Sequence, residues 1–204
     1  MRKRSLIAVA IAVVMTFSST AYSATLLSDN FDSETLSLNY TGFTNWNVVG
    51  GYVDLIGDPG FFNLLPGHGR YVDLDGSANP PGTLTSKQSF VVPAGGSLTL
   101  AFDLAGSQRG DTNTVDVTLA GNLLASIIRN SADPFTTYQL ILQNNTANPY
   151  IGPITFHNVN PYDSLGAILD NVLLTDSQAV PEPATMLLLG LGLVGLAGAR
   201  RFRK

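Results

Sequence analysis

The chain has 204 residues, no cysteine, and 11 basic against 15 acidic side chains. Seven of the cations sit in the first four and last five positions, so residues 24–178 keep only Arg70, Lys87, Arg109 and Arg129 against fourteen acids, a net of −10. Nucleic acid and anionic lipid surfaces need a basic footprint that this segment lacks, which excludes them as partners.

The missing cysteines exclude a disulfide framework. Divalent cations and neutral polysaccharides remain compatible with so acidic a surface, and the acidity also serves simply to keep an exported domain soluble.

The chain opens on an export signal. Arg2, Lys3 and Arg4 precede an apolar run over residues 6–17, and the small residues Ala21 and Ser23 favour cleavage after Ser23. Charged, apolar and small-residue regions in that order make residues 1–23 a secretory signal peptide, too short for an ordinary transmembrane helix. Its partners are the Sec translocon and signal peptidase. Basic residues flank this segment and the C-terminal apolar one, so both outer ends are fixed in the cytoplasm and the chain between them lies outside.

Residues 24–178 read as strands throughout. Short β-rich runs at 46–49, 52–56, 71–74, 83–86, 89–92, 97–104, 114–120, 123–128, 137–142, 154–156 and 167–175 are separated by turn residues. Leu98, Leu100, Phe102 and Leu104 alternate with Ser97, Thr99, Ala101 and Asp103; Val115, Val117 and Leu119 repeat the pattern, as do Tyr138, Leu140 and Leu142. Period-two patterning broken by turns predicts an all-β, antiparallel β-sandwich with one buried face per sheet, best arranged as a two-sheet jelly roll. At about 155 residues the segment is one domain with room for a real core. Within it, Tyr52-Val-Asp-Leu-Ile-Gly57 returns as Tyr71-Val-Asp-Leu-Asp-Gly76. Two copies are too few for a solenoid and read as two similar strands, each ending at a glycine turn.

The chemistry in this domain is sparse. No Gly-x-Ser-x-Gly elbow is present, and the two histidines, His68 in a Pro-Gly-His-Gly turn and His157 after an apolar strand, make neither a triad nor a closed zinc site. A glycosidase needs two opposed carboxyls, and no pair can be picked from spacing. The stretch from Asp111 to Asp116 lacks the glycine and distal glutamate of a calcium-binding EF-hand loop. Catalytic residues are therefore expected to be absent. For a carbohydrate ligand the useful groups are aromatic faces and planar polar side chains. Trp46, the only tryptophan, Tyr71, Tyr138 and the loop residue Arg109 are the candidates. Trp46 serves equally well as the plug of the core.

The ordered set Asp29-Asn-Phe-Asp32, residues 46–57, residues 71–76, residues 100–106 and Ala167-Ile-Leu-Asp-Asn-Val-Leu-Leu174 resembles the exported choice-of-anchor C family. That resemblance implies a galactose-binding-like jelly roll and association with polysaccharide. By resemblance to related carbohydrate-binding jelly rolls, Asp32 and Asp170 hold a structural calcium. Related domains usually place Asn-x-x-Phe-Glu near the start, where this chain has Asn30-Phe31-Asp32. Regular alternation puts Asp170 on one face with Ile168, Val172 and Leu174, where a carboxylate must be paired or metal-bound. A bulge that turns Asp170 to solvent, or a hydrogen bond to a backbone turn, are the alternatives.

Residues 179–204 close the chain with Val180-Pro181-Glu182-Pro183, an uncharged apolar run over 184–199, and the cations Arg200, Arg201, Arg203 and Lys204. The prolines end the domain, the run enters lipid as a transmembrane helix, and the cations hold the last residues in the cytoplasm. Sixteen residues reach only about 24 Å against a hydrocarbon core of roughly 30 Å, a holding anchor rather than a durable one. The three parts in this order resemble the PEP-CTERM sorting signal, a pattern also labelled the ice-binding-protein C-terminal domain. The resemblance implies processing by an exosortase near Pro181-Glu182-Pro183 and passage from the inner membrane to the surface or matrix of a Gram-negative bacterium. The expectation is thus an exported, non-enzymatic jelly roll that binds exopolysaccharide. An extracellular polysaccharide-active enzyme, which would show a cleft with two opposed carboxyls of raised pKa, and a purely structural matrix protein are the alternatives.

Overall fold

The computed structural model describes residues 23–60, 62–160 and 162–176. The signal peptide, the sorting segment and the expected C-terminal transmembrane helix lie outside the described residues. Among those described, no helix is long and apolar enough to cross a membrane.

Thirteen strands occur in the described residues: β1 (Ala24–Asp29), β2 (Trp46–Val49), β3 (Asp54–Gly57), β4 (Arg70–Asp73), β5 (Thr83–Ser86), β6 (Phe90–Val92), β7 (Ser97–Ala105), β8 (Thr112–Leu119), β9 (Asn122–Asn130), β10 (Thr136–Gln143), β11 (Tyr150–Gly152), β12 (Ile154–Asn160) and β13 (Ile168–Asp176). One sheet runs β10-β7-β13-β4-β3, with β1 paired to β13; the other runs β2-β5-β12-β8-β9, and β6 and β11 form a small third pair. Every named strand pair is antiparallel. The fold is an antiparallel jelly-roll sandwich, as the alternation predicts. Consecutive pairing of β8 with β9 is a hairpin, whereas β1 against β13 closes the fold from its two ends.

The alternating apolar positions meet between the sheets. Leu98, Leu100, Phe102 and Leu104 of β7 face Leu84, Val115, Val117, Leu119 and Phe156 of the other sheet, all of them fully buried. A line of aromatic contacts runs through this core. Phe43 meets Phe31 edge-on at 6.1 Å, Phe31 lies 6.3 Å from Trp46, Trp46 meets Phe156 at 5.9 Å, and Phe156 meets Phe102 at 5.1 Å. Edge-to-face and tilted pairs suit the ring quadrupole. Tyr138 stacks on Phe102 at 5.6 Å, and its hydroxyl accepts from Arg129 at 3.0 Å.

The repeated Tyr-Val-Asp-Leu segments lie side by side as β3 and β4, with Leu55 opposite Val72 and Asp54 opposite Asp73. Two strands, β1 and β11, carry no clear sequence signal. β11 has three residues, and the pairing of β1 shifts register between Thr25 and Leu27, which breaks any period of two.

Trp46 is the core plug: it has no exposed surface, and its Nε1–H donates to Asp29 Oδ2 at 2.9 Å. Trp46→Ala is expected to cost about 3–5 kcal/mol through the cavity it leaves. Trp46→Phe keeps most of the bulk but strips a donor from a buried carboxylate, at a cost of about 1–3 kcal/mol. Chemical denaturation midpoints measure both, and a fully stable Trp46→Ala protein would move the residue out of the core.

Candidate functional site

The outer face of the six-stranded sheet is covered over β3, β4 and the adjoining ends of β7 and β13, while Ile141 of β10 stays exposed. Besides the main core, Ile56, Tyr71, Ala105 and Ile168 form a second, smaller cluster, with Leu64, Leu65 and Phe135 packed over it. Ile56 and Tyr71 are direct cross-strand partners. The segment between β3 and β4 lies across this outer face and is pinned by the Tyr71 hydroxyl, which accepts from Leu65 N–H at 2.9 Å and reaches the Phe62 carbonyl at 3.5 Å. Burial raises the pKa of Tyr71, and the charges of Asp58 and Asp170 add to the effect.

On top of this cluster sits a small aromatic surface. The exposed His68 ring lies 4.8 Å from the ring of Phe135, which in turn meets Tyr71 edge-on at 6.0 Å. Phe135 is half-buried and His68 exposed, so the pair lies partly in solvent above the smaller cluster. Asp58 and Asp32 border it. The Asp58 N–H donates to the carbonyl of Gly69, and the Asp32 carboxylate lies so close to Gly69, with φ at +71°, that a Cβ there would collide with it. Asp32 accepts from Arg70 N–H at 2.9 Å and from the Asn30 amide at 2.8 Å.

Asp170 lies on this outer side. The pairing of β13 shifts register between Asp170 and Leu173, and Asn171 takes φ at +52°. This bulge resets the alternation. Leu169, Val172 and Leu174 enter the main core and Ile168 the outer cluster, which corrects the expectation that Asp170 shares a face with Val172 and Leu174. Asp170 is nonetheless 2% exposed, so the bulge does not turn it to solvent. Among the described residues its oxygens accept from Asn171 alone, at 2.7 Å from the N–H and 3.3 Å from the side-chain amide, which also bridges to Asp103 at 2.9 Å. Burial foremost, with the charges of Asp32, Asp103 and Asp29, pushes the Asp170 carboxyl up to about 7. A cavity of about 220 Å³, lined by Ser28, Asp29, Asn30, Asn171, Val172 and Leu173, lies alongside. Among the described residues, no three acidic or imidazole side chains converge closely enough to hold a metal ion by themselves.

The polar loop after β7 is a latch. Arg109 donates to Asp73 Oδ2 at 2.6 Å, to the Ser164 carbonyl at 3.1 Å, to the Gly166 carbonyl at 3.3 Å and to the Ser107 carbonyl at 3.1 Å. These bonds join β4 to the loop before β13, and Gly166 leaves room for Asp73 and Asp75 where a Cβ would strike both. Burial, helped by Asp54, pushes the fully buried Asp73 up to about 8 against the pull of Arg109. Burial likewise raises Asp75, although it accepts from the N–H groups of Asp163 and Ser164.

Of the four residues named as ligand candidates, Trp46 takes its alternative place as the core plug, and Tyr71, Tyr138 and Arg109 are drawn into the fold. Trp46 and Tyr71 are fully buried. Tyr138 stacks against the core beneath Arg129, and Arg109 spends its guanidinium inside the protein. Asp32 and Asp170 do come within reach of each other's charge. The residues that sequence reasoning passed over are His68, read only as part of a turn, and Phe135, isolated beside Pro134 with no periodic signal. His157 lies on the other sheet, its Nδ1 within 3.2 Å of the Thr83 hydroxyl.

The raised carboxyls fix a pH dependence. Ionising Asp170 is harder in the fold than in the unfolded chain, so its contribution to stability is complete below its ordinary value of 3.8 and is lost as pH rises through about 7. Asp73 extends the decline to about 8. In chelator, melting temperature is expected to fall across this window. Asp170→Asn should remove the part ending near 7 and leave the part due to Asp73; identical slopes for both proteins would contradict the assignment.

No curated protein sequence matches the chain. Among solved structures, the fold is similar to a cleaved adhesin domain of Lys-gingipain from Porphyromonas gingivalis, at 15% identity and a TM-score of 0.50, covering 76% of this chain and 98% of that one. It is also similar to the CBM22-1 xylan-binding domain of Paenibacillus barcinonensis Xyn10C, at 11% identity and a TM-score of 0.45 over 79% of this chain and 99% of that one. A family 35 carbohydrate binding module from Clostridium thermocellum follows at 14% identity and 0.38, covering 63% and 90%. At such identities the likeness is one of fold alone. Residues 179–204 match the PEP-CTERM protein-sorting motif, and the tail of this chain is that motif.

Proposed function

We propose that the chain is an exported surface or matrix protein that an exosortase sorts through its tail, and that its sandwich holds exopolysaccharide without cleaving it. In this reading residues 1–23 direct export and residues 24–178 form the sandwich domain. Residues 179–204 park the chain in the inner membrane until it is cut near Pro181-Glu182-Pro183, with Arg200, Arg201 and Arg203 as the cytoplasmic stop. The single observation that carries the binding reading is the His68–Phe135 pair, an exposed ring surface resting on a rigid second core. Sugar rings stack on faces of this kind, and the bordering carboxylates Asp32 and Asp58 accept hydroxyl hydrogens. Binding rather than turnover is favoured because the two carboxyls of strongly raised pKa, Asp73 and Asp170, are buried, one of them under Arg109.

Calcium on Asp32 and Asp170 belongs to the same proposal. The donors are all oxygen, as this ion requires. Asp170 is a buried carboxylate among like charges whose donors among the described residues come from Asn171 alone, an arrangement that a divalent cation relieves. The bound ion would supply charge neutralisation beneath the platform.

Three experiments test this. Mass spectrometry of surface material is expected to find the chain ending within residues 180–183, and a dominant form retaining Phe202 or Lys204 would remove the sorting proposal. The mature protein recovered from cells should bind at least one polysaccharide of a panel without releasing reducing ends. Chelation should lower its melting temperature, since a ligand at a hundredfold excess over its dissociation constant stabilises by about 2.7 kcal/mol. Asp170→Asn should abolish that response. Reducing-end release would favour the enzyme reading, and melting indifferent to calcium would retire the metal.

A further inference from the structure

We infer that the His68–Phe135 surface takes a protonated amine, so that the polysaccharide it holds is an amino-bearing, N-deacetylated polymer rather than an acidic or an uncharged one. The inference rests on the proposed glycan binding and names its ligand class.

The argument begins from where the cations go. Residues 24–178 contain four, and each donates inward. Arg70 donates to the Glu34 carbonyl, Lys87 to the Phe43 carbonyl at 2.6 Å, Arg109 to Asp73 and two loop carbonyls, and Arg129 to Tyr138 and to Thr136 at 3.1 Å. An acidic polysaccharide is recognised by guanidinium or ammonium groups offered outward; here the three guanidinium groups are held against the protein, and of the four cations Lys87 alone is exposed.

The negative groups are arranged differently. Asp58 is exposed, its N–H donates to the carbonyl of Gly69 beside His68, and its charge reaches Tyr71 beneath Phe135. Asp103, half-buried, receives the hydroxyl of Thr137, two residues after Phe135, at 2.5 Å. Asp58 and Asp103 thus place negative charge in the neighbourhood of the rings.

An aromatic face attracts a cation through its quadrupole, and flanking carboxylates add direct charge. The same site meets an N-acetylated sugar with a ring face alone and gains nothing from the carboxylates' charge. The preference belongs to the amine. A domain of net −10 adds long-range attraction for a polycation, which salt will weaken.

The test is titration calorimetry of the mature protein with glucosamine oligomers, N-acetylglucosamine oligomers of the same length, and an oligouronate. The glucosamine oligomer is expected to bind about tenfold or more tightly than its acetylated counterpart, with affinity falling as salt rises, and the oligouronate should not bind. His68→Ala, at an exposed position, should weaken binding of the amine. Asp58→Asn, which keeps the shape and removes the charge, should shrink the preference for the amine while leaving the acetylated oligomer unaffected. Equal or tighter binding of the acetylated oligomer, still weakened by His68→Ala, would overturn the amine inference and leave glycan binding standing. Absence of binding to either oligomer, or binding that ignores both His68→Ala and Phe135→Leu, would overturn the platform itself. A lysine-rich peptide binding more tightly than the glucosamine oligomer would point to a protein ligand and overturn the polysaccharide assignment.

Discussion

One buried hydrogen bond stands between the two sheets and orders what surrounds it. Asp29, at the end of β1, accepts from the indole of Trp46 on β2, and the two strands belong to different sheets. An indole N–H sealed in a core needs an acceptor, and a carboxylate sealed there needs donors. Asp29 obtains three, from Trp46, the Asn45 amide at 2.9 Å and the Phe31 N–H at 2.9 Å. The last of these bends the chain at Phe31, where φ is +57°, and drops that ring beside Trp46. Sheet spacing, the entry of the first loop and the placement of Asp32 all follow from this one cluster. Asp32 in turn meets Gly69, so the geometry of the outer surface is anchored in the core.

The outer face of the six-stranded sheet is the less usual part of the fold. A sheet with one solvated face would carry polar residues there. Instead the chain between β3 and β4 folds back over Ile56, Tyr71 and Ile168, and the Arg109 loop covers Asp73 beside them. On this face Asp73 and Asp170 are buried, where a solvated outer face would leave both carboxyls wet. The raised pKa of each is the electrostatic result, and it is why this side of the sheet, rather than the sandwich interior, carries the chemistry.

Much of this was legible in the residues, and what was not has identifiable causes. Strict alternation in β7, β8 and β10 located those strands and their buried sides, because a period of two is the whole signal for a half-buried strand. The same rule misassigned Asp170, since Asn171 inserts one residue and an insertion is invisible to a periodicity. Arg109 looked like a surface group because its neighbours are polar; its partners Asp73, Ser164 and Gly166 lie 36, 55 and 57 positions away in sequence. Phe135 gave no signal because its role depends on β10 and β4 belonging to one sheet, which no local pattern states. The tail carries its signal contiguously, and the sorting motif read there matches over residues 179–204.

The position of β13 has a mechanical consequence. This strand is hydrogen-bonded to β7 along one edge and to β4 and then β1 along the other, so it lies inside the sheet. Everything after Asp176 is attached to it. Tension applied to the domain from its C-terminal side therefore enters an interior strand lengthwise, where many hydrogen bonds on both edges must shear together, instead of peeling an edge strand one bond at a time. Load entering from this end therefore meets the interior of the sheet before any of its edges.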